Sequence, residues 1–176
     1  MRLFGFFAFL LAFVAQPALA ETTAPQLRFL EQRFAALATE NPGEYGIAAM
    51  DLATGAMVSS NGDEPFPMAS TMKIAAPAAY LQEVDAGRRS LDETIAGVSA
   101  VRLMDAMITH SDNRATDLLM LSLGGPGAID RWLRAHGLPG IRVDRTIAQL
   151  LSDRRDLRDI RDSSTPTAML GLLRLI

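Results

Sequence analysis

No cysteine occurs among the 176 residues, so neither a disulfide nor a lipid-bearing thiol can fix or anchor the chain. Histidine is nearly as scarce: His110 and His136 lack the spacing of metal ligands and, with no thiolate present, they argue against a metallohydrolase. Of 17 Lys and Arg residues only Lys73 is a lysine, and a formal net charge of −3 gives no basic excess for a nucleic-acid partner. Glutamate disappears after Glu93, so no glutamate base can come from the second half of the chain.

The single lysine lies in the run Pro67-Met68-Ala69-Ser70-Thr71-Met72-Lys73-Ile74. Guanidinium stays protonated at any working pH, whereas a desolvated ammonium can be tuned toward neutrality, so Lys73 alone among the Lys and Arg side chains can accept a proton. Positions i and i+3 share a helix face, and a helix beginning at or just before Ser70 puts the Lys73 amine within reach of the Ser70 hydroxyl. The serine then sits at the positive helix end, where unpaired N–H groups favour an oxyanion.

Further on, apolar residues at helical spacing (Val101, Met104, Met107, Ile108) run into Ser111-Asp112-Asn113, and a second helical pattern follows through Leu118, Leu119 and Leu121. On such a connection between helices Ser111 can relay a proton to a leaving nitrogen. The Asn113 amide can bond a substrate's amide carbonyl, while Asp112 ties down the loop backbone.

Ser-x-x-Lys at a helix start followed by Ser-Asp-Asn between helices resembles the class A β-lactamases and penicillin-binding proteins. Val84-Asp85-Ala86-Gly87 with Leu91-Asp92-Glu93, Leu123-Gly124-Gly125, Val143-Asp144-Arg145-Thr146 and Asp162-Ser163-Ser164-Thr165-Pro166 extend the likeness in family order over nearly all of the chain after the N-terminal segment. The resemblance implies an α+β chain of the α/β class, with a helical subdomain and an antiparallel sheet flanked by helices. It also implies that Arg145 and Asp162 close the neck of a loop by an ion pair, and that no cofactor or metal is required.

Residues 1–20 carry Arg2, an apolar run from Leu3 to Ala15 and an Ala18-Leu19-Ala20 end, the pattern of a secretory signal peptide. Gln16 and Pro17 interrupt the run short of the ~20 residues that a membrane span needs. Export to a periplasm or the medium is expected, with no stable membrane anchor after cleavage and a monomeric domain over 21–176. At the other end, Thr165-Pro166 starts a helix whose apolar pattern (Met169, Leu170, Leu172, Leu173) runs to Ile176 without a stop signal. The family has a later strand bearing Lys-Thr-Gly; with Lys73 the sole lysine, that motif and the C-terminal strands are absent, and the sequence reads as partial.

Between the ends, Leu27, Leu30, Phe34 and Leu37 predict a helix from about Pro25 to Thr39, and Gly46–Asp51 with Ala56–Ser60 predict a hairpin turning at Thr54-Gly55. The helix of Ser70 is predicted to run to about Val84; Pro77 inside it removes the N–H that would bond the Lys73 carbonyl, read here as a tolerated defect. Gly124-Gly125-Pro126 separates two helices, the second burying Ile129, Trp132 and Leu133.

Two departures from the family bear on mechanism. The interval from Lys73 to Ser111 is short, and what is missing is the family's loop with an aromatic gate. Where the lactamases place a hydrolytic glutamate after Arg-Thr, this chain has Ile147 after Thr146. Ile147, Leu150, Leu151, Leu157 and Ile160 read as apolar anchors of that loop, and Asp153, beside Arg154 and Arg155, as a surface-paired carboxylate. The expectation is a serine hydrolase acting on a small-molecule β-lactam or a cell-wall peptide, with Ser70, Lys73 and Ser111 catalytic and Asn113 binding substrate. The alternatives are a D-alanyl-D-alanine peptidase or esterase, a penicillin-binding protein that acylates without turnover, and an inactive truncated homologue.

Overall fold

The computed structural model describes residues 25–154 and 156–176; the signal peptide expected over 1–20 lies outside them. In chain order come α1 (Pro25–Glu40), β1 (Ile47–Met50), β2 (Met57–Ser60), β3 (Phe66–Pro67), a 3-10 segment (Ala69–Ile74), α2 (Ala75–Asp85), β4 (Thr94–Ile95) and β5 (Val98–Ser99). There follow α3 (Ala100–Thr109), α4 (Asn113–Ser122), α5 (Pro126–Ala135), α6 (Ile147–Ser152), β6 (Ser163–Ser164) and α7 (Pro166–Leu175).

The opening helix and the hairpin fall where the periodicities put them. Thr39 and Asn41 end α1 by donating to the carbonyls of Ala36 (2.9 Å) and Leu37 (2.9 Å), which satisfies groups a helix end leaves open. β1 and β2 are antiparallel, Ile47 opposite Ser60 and Met50 opposite Met57. Gly55 turns the chain between them at φ +75°, where a side chain would be strained. α1 lies against β2 and α7 against β1.

α2, α3, α4 and α5 form the helical half around Tyr80, Leu103, Met107, Leu119, Met120, Ile129 and Leu133, all buried. The buried stripe of α3 is Ala100, Leu103 and Met107, so Val101 and Ile108, expected inside, stand 44% and 56% exposed. Its start is set by the β4–β5 hairpin, a pair not foreseen, in which Ala96 and Gly97 both adopt positive φ (49° and 85°) as a two-residue turn of the primed kind requires. α5 begins at Pro126 as predicted; its half-buried Trp132 donates through Nε1 to the Gln82 Oε1 on α2.

Two further expectations are corrected. The helix of Ser70 is 3-10 through Ile74 and α-helical only from Ala75, with the Ala75 N–H bonded to the Met72 carbonyl. Pro77 offers no N–H to the Lys73 carbonyl, so the proline marks this change of winding. In the loop after Arg145, Ile147 is buried and Leu150 half-buried, but Leu151, Leu157 and Ile160 are 69%, 65% and 57% exposed and anchor nothing.

That difference can be measured by urea unfolding. Ile147→Ala should cost ~2–5 kcal/mol, as for a buried aliphatic side chain, while Leu157→Ala should stay within ~0.5 kcal/mol. Equal losses would return Leu157 to the core.

Candidate active site

Three segments meet at one point. The 3-10 segment carries exposed Ser70 and, one turn on, Lys73, which is 3% exposed and turns its amine to the connection from α3 to α4. In a 3-10 turn i and i+3 eclipse, so both side chains leave on the same side. The α3–α4 connection supplies Ser111, held at φ +54°, and Asn113, the first residue of α4. Asp112 is the N-cap between them: its Oδ1 accepts from the Ala115 N–H at 2.8 Å, the backbone-tying role expected of it.

The hydrogen bonds run differently from the simplest expectation. Lys73 Nζ donates to Ser111 Oγ at 2.8 Å, to Asn113 Oδ1 at 2.7 Å and to the Ser111 carbonyl oxygen. Among the described residues it makes no bond to Ser70. The Ser70 hydroxyl is reached from Ser111 Oγ, at 3.1 Å, so Ser111 stands between serine and lysine. An ammonium has three N–H donors and all three are used. Burial holds the Lys73 amine below its ordinary value of 10.5, and the negative charges of Asp112 and then Asp117 oppose that fall. Since hydroxyl protons rotate, the row Ser70, Ser111, Lys73 can carry a proton in either direction. The Ser70 N–H bonds no backbone carbonyl among the described residues, and Asn113 keeps its amide N–H groups after its oxygen has gone to Lys73.

Beside this cluster the loop from Asp144 to Asp162 is closed by charge. Arg145 Nε meets Asp162 at 2.6 Å, and the other guanidinium nitrogens meet Asp153 at 2.7 Å and Asp159 at 3.5 Å. Asp162 also accepts from the N–H groups of Asp144 (2.8 Å) and Arg145 (3.1 Å), so the expected neck is an ion pair and a backbone clasp together. Asp153 is paired with Arg145 at 2.7 Å and lies 3.7 Å from Arg161; Arg155, one of the partners expected for it, lies outside the described residues.

One residue of this region was not foreseen. Asp117, on α4 one turn after Asn113, accepts from the N–H groups of Ile147 (2.6 Å) and Ala148 (2.9 Å). Its only sequence signal is an acidic side chain one turn after Asn113 in an otherwise apolar helical pattern. No group of three or more His, Cys, Asp and Glu side chains able to hold a metal occurs among the described residues.

The family model described as the beta-lactamase enzyme family matches residues 28–176. A beta-lactamase of Streptomyces cellulosae is 34% identical, over 88% of this chain and 56% of that protein. Among solved structures, the class A beta-lactamase of the last common ancestor of Gram-negative bacteria is 36% identical with a TM-score of 0.75, covering 82% of this chain and 62% of that one. A beta lactamase from Xanthomonas campestris is 31% identical with a TM-score of 0.74, over 83% and 61%. The chain thus spans little more than half the length of the Streptomyces relative and somewhat under two thirds of those structures.

The clasp of the loop has a testable acid limit. Asp159 is held at about 2, below its ordinary 3.8, first by the side-chain and backbone bonds of Arg161 and then by the Arg161 and Arg145 charges. A carboxyl depressed on folding contributes stability that is complete above the unfolded value and lost as pH falls through the folded one, here from 3.8 toward 2. Amide exchange protection in the loop should decline across that interval in the wild type, and Asp159→Asn should lack the step. A flat wild-type profile would show the loop closed without this group.

Proposed function

Because the chain belongs to the beta-lactamase enzyme family, we propose that it is a serine hydrolase of β-lactam amides acting through an acyl-Ser70 intermediate. The observation that carries this reading is the row of an exposed Ser70, a bridging Ser111 and a buried, sole lysine whose ammonium is disfavoured by its surroundings. With Lys73 neutral, Ser111 gives its proton to Nζ and takes that of Ser70 as Ser70 Oγ attacks the lactam carbonyl. The carbonyl oxygen turns its new charge to the Ser70 N–H, which bonds no backbone carbonyl among the described residues, and the proton returns through Ser111 to the leaving nitrogen as the ring C–N bond breaks. Asn113 directs an amide N–H at the substrate's side-chain carbonyl.

Release of the acyl group is the weaker half. No glutamate follows Glu93, Ile147 is buried where the family's glutamate would stand, and Asp153 is engaged by Arg145, so neither of those two positions offers a free carboxylate to activate water. This favours the second reading, a penicillin-binding protein or D-alanyl peptidase that acylates readily and turns over β-lactams slowly. Export by the segment 1–20 and a monomeric state belong to the same proposal. Among the described residues no helix is long and apolar enough to cross a membrane.

Mass spectrometry after exposure to a penicillin should find the adduct on the peptide holding Ser70, and Ser70→Ala should abolish it; labelling that persists would sink the assignment. Lys73→Arg keeps the charge but cannot give up its proton, so acylation should fall by at least ~10²-fold. Near-normal acylation would leave the lysine an electrostatic role only. In a chase without drug the acyl-protein should persist, and its quick return to unmodified mass would mean another group activates water.

A further inference from the structure

Asp117 lies between the two parts of this site. α4 presents Asn113 and Asp117 one turn apart on a common face. Asn113 holds Lys73 Nζ, and Asp117 gives one carboxylate oxygen each to the N–H groups of Ile147 and Ala148, the first two residues of α6. The rest of that helix start is satisfied by itself: Thr146 N–H bonds Gln149 Oε1 at 2.9 Å, and Gln149 N–H bonds Thr146 Oγ1 at 3.2 Å. Every open donor of the first turn therefore has a protein partner, and two of them depend on Asp117.

We infer that Asp117 is a positioning residue that seats α6 on α4 and at the same time supplies anionic charge behind Lys73, so that one carboxylate governs both the loop and the lysine. The inference rests on the serine-hydrolase reading only for its consequence: the ammonium formed when Ser70 gives up its proton is the state that Asp117 favours. Lys73 has two carboxylates acting on it, Asp112 and Asp117, and Asp112 is committed to the N-cap of α4. An amide at 117 would remove the charge and one of the two acceptors, since only its oxygen can receive an N–H.

The test reads Lys73 directly in protein grown on lysine carrying ¹³C at Cε, its signal identified as the one that Lys73→Arg removes. Asp117→Asn should lower the Lys73 midpoint by about one pH unit, the lower end of what a neighbouring opposite charge supplies. It should also raise amide exchange at Ile147 or Ala148 at least ~10-fold, as one of them loses its partner. Asp117→Glu restores the charge and should return the midpoint toward the wild-type value. Faster exchange with an unmoved lysine midpoint would overturn the inference, leaving Asp117 a cap alone. In the wild type, the ¹⁵N shifts of Ile147 and Ala148 should follow the lysine titration; amides blind to it would overturn the inference without any variant. Penicillin labelling of Ser70 is a separate arm, so a wild type that forms no adduct defeats the hydrolase reading and leaves the two titrations to decide on Asp117.

Discussion

A buried ammonium needs acceptors, and much of the molecule is arranged to provide them for Lys73. Taking a charge of this kind out of water costs several kcal/mol unless it is hydrogen-bonded on every side. Lys73 finds its three acceptors on one short connection, from Ser111 and Asn113, which belongs to a different helix pair from its own. The charge therefore fastens the 3-10 segment to the start of α4. The helical core below, with Met72, Met107 and Leu119, holds the two backbones at the separation these bonds require. Satisfying the lysine leaves the Ser70 hydroxyl outside the lysine's own shell and gives Ser111 the middle position.

Arg145 plays the corresponding part in the loop. Its guanidinium spreads over three carboxylates, two of which, Asp153 and Asp159, are also within reach of Arg161. Asp162 joins that network to the segment of Ser70, because its carbonyl accepts the Met68 N–H at 3.1 Å and the strand it precedes, β6, pairs with β3. A chain of polar contacts thus runs from the loop's neck to the residues just before Ser70. Asp117 makes a second connection from the loop to the same chemistry, by way of α4.

The parts legible in the sequence are those where spacing is the cause. Ser70 and Lys73 leave one side of their segment, Asp112 caps α4, Arg145 meets Asp162, and the hairpin turns at Gly55, each from a local rule or a family landmark. What escaped has partners far away in the chain. Asp117 bonds backbone N–H groups some thirty positions on, and backbone donors leave no mark in a pattern of side chains. The Ser70 to Ser111 bond, 41 positions apart, depends on how two helices dock. Leu157 and Ile160 stand exposed, because apolar spacing in a loop does not say which of its side chains turn to the core. The 3-10 winding is half legible: Pro77 stands in the sequence, but the turn before it, wound as 3-10 through Ile74, leaves no pattern of its own.

Three residues around this site, Ala69, Ser111 and Asp162, have φ of 47°, 54° and 53°, a region that side chains other than glycine occupy at a cost of ~1–3 kcal/mol each. At Ala69 glycine would relieve the strain and give up only a methyl group, whereas Ser111 and Asp162 use their side chains to hold Lys73 and Arg145, and losing either would leave a buried cation short of an acceptor. Selection for heat tolerance alone would therefore find Ala69 first and leave the other two strained residues in place. Its cost would fall on how firmly the backbone beside Ser70 is fixed.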